Sequence, residues 1–420
     1  GFNISLNKQT PDSPPNFKFV LDAFASKDTI KKDESDLDLR INSVLIRRGR
    51  LSYHVLSEKE TPGKFNAKHI LMQNIIANLS LKALQKDSVN IAIKRLSADE
   101  KMSGFSLKKL SLKLLANDRQ MKIENFAIEL PETSLKMDTI HLKYDSLGAF
   151  NNFADQVHFS FHTLPSQITL KDIAPFVPAL SHFKEPITLD IKVEGTLNQL
   201  SCPRLEITAE DQQFRLRGDA TFQDLSHPED AYIYGNLSEF SANSRSVGFL
   251  VRNISSNYNG VPPMLLRLGD IAFKGEISGY FADLVTYGQL RTSLGTVNTD
   301  LKLTSNKQKG LFAYSGGVET ESFQLGKLLG NDLLGEITLN LDVNGKHYNN
   351  QRPIVELKGL IASLEYSKHK YENITLDGAY KAGGFNGQIA LNDPSGSIYL
   401  NGDINMVAKT PTFNFSAVVD

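Results

Sequence analysis

Apolar and polar residues alternate along most of this chain with a period of two, and glycines recur on the apolar parity. Ile75, Ala77, Leu79, Leu81 and Ala83 share one parity, while Asn78, Ser80 and Lys82 take the other. Val89, Ile91 and Ile93 repeat the pattern, as do Val157, Phe159 and Phe161. Successive strand side chains point to opposite faces, so this spacing predicts strands with one shielded face. Where the apolar phase slips without a turn, between Ile123 and Phe126 and between Met137 and Ile140, a β-bulge is expected. Leu107, Leu110 and Leu114 fit a helix and Leu110, Leu112 and Leu114 a strand; the strand is preferred. Helical candidates are few: Asp172 to Phe183, cut to about a turn by two prolines, and Ser322 to Leu334, about three turns weakened by Gly326 and Gly330.

The glycines form a loose repeat, apolar-x-apolar-x-Gly-x-apolar. It includes Ile191-Lys-Val193-Glu-Gly195-Thr-Leu197, Phe214-Arg-Leu216-Arg-Gly218, Ile271-Ala-Phe273-Lys-Gly275, Leu339-Asn-Leu341-Asp-Val343-Asn-Gly345 and Leu357-Lys-Gly359. It is densest in Ile374-Thr-Leu376-Asp-Gly378, Phe385-Asn-Gly387-Gln-Ile389-Ala-Leu391 and Ile398-Tyr-Leu400-Asn-Gly402-Asp-Ile404, with a hairpin turn at Asn392 to Gly396. Glycine inside a strand forfeits side-chain contacts, so its regular use on the inward parity needs a reason. Two remain open: a barrel or sandwich corner, or a concave apolar trough where the sheet folds over.

At roughly 13 residues per strand and turn, the chain makes about 30 strands, whereas twisted open sheets rarely exceed about 10 before they curl or split. The weak helices supply almost no second layer. The expected fold is therefore all-β, an elongated curled antiparallel sheet with a few short helices. Its inward face is filled by its own side chains or holds something apolar.

Composition narrows the function. With 46 Lys and Arg against 47 Asp and Glu, the chain lacks the basic excess that phosphate neutralisation requires, so no nucleic-acid partner is expected. The single Cys202 excludes an internal disulfide and a cysteine-based zinc site. No run approaches the roughly 20 apolar residues that span a bilayer. The strand-like ends, from Phe2 and from Phe413, suggest a piece of a longer polypeptide. Only 5 of the 29 glycines lie in the first 150 residues, and the charge changes from a net +6 there to −7 beyond. Three segments are expected: a glycine-poor β segment over 1–160, a glycine-containing β-groove segment with short helices over 161–346, and a continuing repeat over 347–420.

No hydrolase elbow, P-loop, dinucleotide fingerprint or zincin motif is present, and no enzyme activity, cofactor or metal is expected. The glycine-rich stretch from Gly383 to Gly387 has no following helix to receive a phosphate. His158 and His162 lie four apart on a strand, roughly 13 Å, too far to share an ion. The other histidines, His54, His69, His141, His182, His227, His347 and His369, read as scattered. Arg47, Arg48, Arg50, Lys31 and Lys32 read as a solvated face before an anion-binding one.

The stretch from Leu357-Lys-Gly359 through Ile374-Thr-Leu376-Asp-Gly378 to Leu391-Asn-Asp393-Pro394 and Ile398-Tyr-Leu400-Asn-Gly402 resembles the repeats of the AsmA-like superfamily, in particular its TamB-type, Bacteroidota-like branch. Leu164-Pro165-Ser166, Phe323-Gln-Leu325-Gly326 and Asp283 to Gly295 are similar to segments of such proteins. The membrane helix and C-terminal domain that mark that family's ends are not in this sequence. The resemblance implies a β-taco or β-groove in the periplasm of a Gram-negative bacterium, within a parent protein anchored in the inner membrane. That groove would shield phospholipid acyl chains for inter-membrane transport and outer-membrane biogenesis, with an outer-membrane β-barrel as partner. The alternative is a non-lipid scaffold for outer-membrane protein assembly and secretion. The groove-lining candidates are Val193, Leu197, Phe214, Leu216, Leu341, Val343, Ile374, Leu376, Ile389, Leu391, Leu400 and Ile404.

Overall fold

The computed structural model describes residues 1–18, 39–85, 88–181, 183–209, 213–227, 230–254, 263–306, 310–348, 353–381, 384–394, 396–405 and 412–420. Among them are 22 strands and a few short helical segments, so the chain is all-β. Fewer than 30 strands form because many are long, up to 17 residues. The chain divides into two compact units, Gly1–Ala209 with Arg252–Tyr258, and Glu210–Val251 with Asn259–Asp420.

The first unit carries β1 (Phe2–Lys8), β2 (Leu39–Val55), β3 (His69–Gln85), β4 (Ser88–Glu100), β5 (Ser106–Asn117), β6 (Gln120–Glu129), β7 (Ser134–Lys143), β8 (His158–Ile168), β9 (Ile187–Thr196) and β10 (Gln199–Ala209). β1 pairs parallel with β2; every later strand pairs antiparallel with its predecessor. The leucine-rich segment is strand β5, as preferred. Both expected phase slips exist: the register shifts between Met137 and Ile140, and Asn125, between Ile123 and Phe126, has φ of 53°.

The ladder curls. The Phe65 N–H, between β2 and β3, donates to the Pro175 carbonyl, between β8 and β9, at 2.8 Å, although β3 to β8 lie between them in the ladder. The Phe176 ring packs on Phe65 at 4.8 Å and Phe105 at 5.0 Å, closing that rim. The Asp172 to Phe183 segment that makes this contact is two short 3-10 turns, Leu170–Ile173 and Pro178–Leu180, as its prolines require. His182 lies outside the described residues.

The second unit carries β11 (Phe214–Gln223), β12 (Tyr232–Ala242), β13 (Ile271–Tyr280), β14 (Asp283–Thr292), β15 (Gly295–Asn306), β16 (Leu311–Gln324), β17 (Leu334–Tyr348), β18 (Ile354–Tyr366), β19 (His369–Lys381), β20 (Gly384–Asp393), β21 (Gly396–Asn405) and β22 (Thr412–Val419), a wholly antiparallel ladder. Among the described residues, neither unit closes into a barrel.

The expected segment bounds at 160 and 346 fall within β8 and β17. Strands β7, β8 and β9 pair without interruption through 150–165, and β17 pairs with β18 across 346–353, of which 349–352 lie outside the described residues. Glycine content and charge change along the chain while the hydrogen-bonded ladder, which decides what is compact, continues. The expected three-turn helix after Ser322 is also shorter. Only Leu325–Leu329 is helical, because Phe323 belongs to β16 and Gly330, at φ of 67°, ends the turn.

A helix that the apolar pattern did not suggest, Ser244–Ile254, follows β12. Asn243 caps it, its Oδ1 accepting from the Ser246 N–H at 2.9 Å. Phe249 on this helix is buried and meets Phe214 of β11 at 5.6 Å, which also meets Phe240 of β12 at 5.8 Å. Phe214→Ala removes the centre of this cluster and is expected to cost about 3 kcal/mol of stability, measured by urea denaturation.

Candidate functional site

In the second unit, cross-strand register assembles the inward residues into rows. Leu341 of β17 faces Gly359 of β18, which faces Leu376 of β19; Leu376 faces Ile389 of β20, which faces Leu400 of β21. Four of the candidates thus share one row, and four strand spacings of about 4.8 Å make it about 19 Å long. Beside it, Ile361, Ile374, Leu391 and Ile398 form a second apolar row. On the other side run Val343, Leu357, Gly378, Gly387 and Gly402, then Phe385 opposite Ile404.

Leu341 of β17 is buried, but beyond it no second layer covers these rows among the described residues. Along the central part of β18 to β21 the inward apolar residues are half-buried and most polar residues of the other parity are exposed, and no described residue of these strands is fully buried. A filled β core would bury its inward leucines and isoleucines. At one side the face is covered: Leu294, Phe323 and Ile337 are buried together, with Leu268, Leu325 and Leu328 packed on them. Arg267, at the end of the helix Pro263–Arg267, donates to the Leu328 carbonyl at 3.2 Å.

The other candidates divide differently. Phe214 is buried under the helix Ser244–Ile254, with Leu216 opposite Phe240, so this end is packed protein. Val193 belongs to the first unit, buried opposite Phe161. Leu197 lies in the two-residue turn between β9 and β10 and not on a strand, because Thr196 already pairs with Gln199.

The inward glycines have a specific use. Gly275 faces Gly288, Gly378 faces Gly387, and Gly387 faces Gly402. A Cβ on Gly275 or Gly288 would lie 2.8 or 2.7 Å from the Phe273 ring. Rings also lie where the Cβ atoms of Gly345 and Gly378 would be, from Tyr314 and Phe385. At these four positions glycine leaves room for an aromatic ring that a side chain would displace. Gly316, at φ of 138°, additionally has a backbone that side-chain-bearing residues rarely adopt.

The opposite face is polar. A depression of about 590 Å³ is lined mainly by its side chains, among them Asp342, Asn344, Glu356, Lys358, Asp377 and Asn386. They form cross-strand pairs such as Lys358 with Asp377 at 3.0 Å, and Asp377 raises the pKa of that ammonium. On the first unit His162 is exposed and contacts Asp190 at 2.8 Å, which also meets Arg204 at 2.7 Å. Burial pushes the Asp190 carboxyl up, but Arg204 and His162 outweigh it and hold it below the usual range. Arg47, Arg48 and Arg50 are exposed on β2; Lys31, Lys32, Gly383 and Ser395 lie outside the described residues.

Two histidines read as scattered are neighbours. The β2–β3 pairing puts His54 opposite His69, and their Nδ1 atoms lie 3.1 Å apart. A 14-residue gap between two histidines carries no motif; only the hairpin register could have revealed it.

No helix among the described residues is long and apolar enough to cross a membrane. Comparison with protein-family models, with curated proteins and with solved structures finds no match.

Proposed function

We propose that the inward face of the second unit is a groove that shields lipid acyl chains. The observation that carries this reading is the stretch β18 to β21, where the apolar rows run side by side and, beyond the buried Leu341 of β17, none of the described residues of these strands is fully buried. Hydrocarbon laid on these rows removes apolar surface from water at about 25 cal/mol per Å². The contact is non-directional, so a chain is held without a fixed register. The part of the first row within β18 to β21, from Gly359 to Leu400, spans three strand spacings, about 14 Å, comparable with the roughly 15 Å of one leaflet of a 30 Å hydrocarbon core.

In this reading the chain is a periplasmic segment of a TamB-type, AsmA-like bridge, whose parent is anchored in the inner membrane of a Gram-negative bacterium. It moves phospholipid between membranes for outer-membrane biogenesis, with an outer-membrane β-barrel as partner. The motif resemblance and the uncovered face support it together. The test is to purify the chain from cells, extract it and quantify phospholipid by mass spectrometry. Phospholipid in near-stoichiometric amount is the expected result; a lipid-free, folded protein would overturn it.

A specific observation favours the second reading, a lipid-free scaffold for outer-membrane protein assembly. Phe214, Phe240 and Phe249 fill one end of the inward face, and aromatic rings occupy the room left by glycine. The same extraction separates the two readings.

A further inference from the structure

His69 opens β3 and is 4% exposed. Its Nε2 lies 2.9 Å from the Glu58 carbonyl oxygen. A carbonyl only accepts, so the proton of a neutral His69 ring resides on Nε2. The bare Nδ1 lone pair is thereby aimed at His54 Nδ1, 3.1 Å away. Metal-ligating histidines are commonly fixed in this way, the remote ring N–H donating to a backbone carbonyl so that tautomer and orientation are set in advance.

A third donor completes the set. A carboxylate oxygen of Glu60 and one ring nitrogen of each histidine all lie within 4.8 Å of one another. Two nitrogens bound at 2.0–2.1 Å to a tetrahedral zinc ion are about 3.3 Å apart, close to the separation found. Glu58 does not compete for this place, because its side chain pairs with Lys68 at 2.9 Å. The hairpin connection is itself held, with the His69 N–H bonded to the Asn66 carbonyl at 2.9 Å and the Val55 N–H to that of Lys68 at 2.8 Å.

We propose that His54, His69 and Glu60 form a binding site for a divalent transition-metal ion of the zinc type. Two imidazoles and a carboxylate suit that class, and three protein ligands leave a coordination position for water. Binding would clip the β2–β3 connection to the strands that flank it and stabilise the folded state by mass action. The site lies in the first unit and does not depend on the lipid reading.

The test uses the whole 420-residue chain, stripped with a chelator, dialysed and titrated with zinc sulfate by calorimetry, with thermal melting in parallel. One ion per chain and a rise in Tm that chelator reverses are expected. Glu60 is exposed, so Glu60→Gln folds; it is expected to weaken binding at least tenfold, and His54→Gln at least a hundredfold. His158→Gln, on an exposed site of β8, leaves affinity unchanged. A folded wild type that takes up no zinc, or folded Glu60→Gln and His54→Gln proteins that bind as the wild type does, would show that the rings share only an N–H···N hydrogen bond.

Discussion

Replacing Leu376 and Leu391 together by Asp is expected to leave the protein folded and to lower its co-purifying phospholipid at least tenfold. Leu376 faces Ile389 and Leu391 faces Ile374, so the two are diagonal neighbours in adjacent apolar rows. Both are only half-buried, so a carboxylate at either site keeps contact with water while the face is bare. A hydrocarbon chain laid over the carboxylates would strip that water, and an unpaired charge resists desolvation strongly. A tenfold loss corresponds to only about 1.4 kcal/mol, well within such a penalty. The scaffold reading makes a different prediction: the wild type carries no lipid, so the double substitution leaves both the fold and the lipid content unchanged. Circular dichroism and lipid mass spectrometry on the same sample distinguish the outcomes.

An effect on stability as large as that of Phe214→Ala is expected at Glu100, the last residue of β4. Its side chain is 3% exposed, and its carboxylate accepts from the Leu71, Met102 and Ser103 amides at 2.9, 3.2 and 2.6 Å and from the Ser103 hydroxyl at 2.5 Å. Burial alone pushes this carboxyl up, but the Ser103 hydroxyl and the three amides prevail and hold it below its ordinary value. Glu100→Ala leaves those donors without their acceptor and is expected to cost about 3 kcal/mol. Because the folded-state pKa is depressed, the ionised carboxylate contributes stability above its unfolded value of about 4.3, and that contribution is lost as pH falls through the folded value. Glu100→Gln lacks this contribution at any pH. The stability gap between wild type and Glu100→Gln, measured by urea denaturation, is therefore expected to narrow as pH drops below about 4.

Much of this molecule is legible in local pattern. The alternation Ile374, Leu376, Gly378 against Thr375 and Asp377 returns as half-buried against exposed positions in β19. Asn125 and Met137 mark bulges at the phase slips. What escaped the pattern depends on partners distant in sequence. Phe214 reads like any other inward residue, and its burial follows from a helix some 30 residues later whose Asn243 cap is a weak signal. Leu197 obeys the repeat spacing but falls in a turn because Thr196 and Gln199 pair. The strand count was overestimated because turn residues do not reveal how long a curled strand continues.

The amino-acid sequence by itself determined the class of structure, which side of each strand is shielded and where glycine replaces a side chain, because strand geometry translates a period of two directly into faces. Tertiary structure decided the rest. Cross-strand register places Leu341, Leu376, Ile389 and Leu400 in one row and His54 against His69, and register depends on turn lengths and bulges summed over a whole hairpin. It also decided that the inward face is filled by aromatic side chains at Phe214, packed at Ile361 and Leu364 of β18, and without a second layer among the described residues along β19 to β21, a distinction that depends on which elements fold over the sheet.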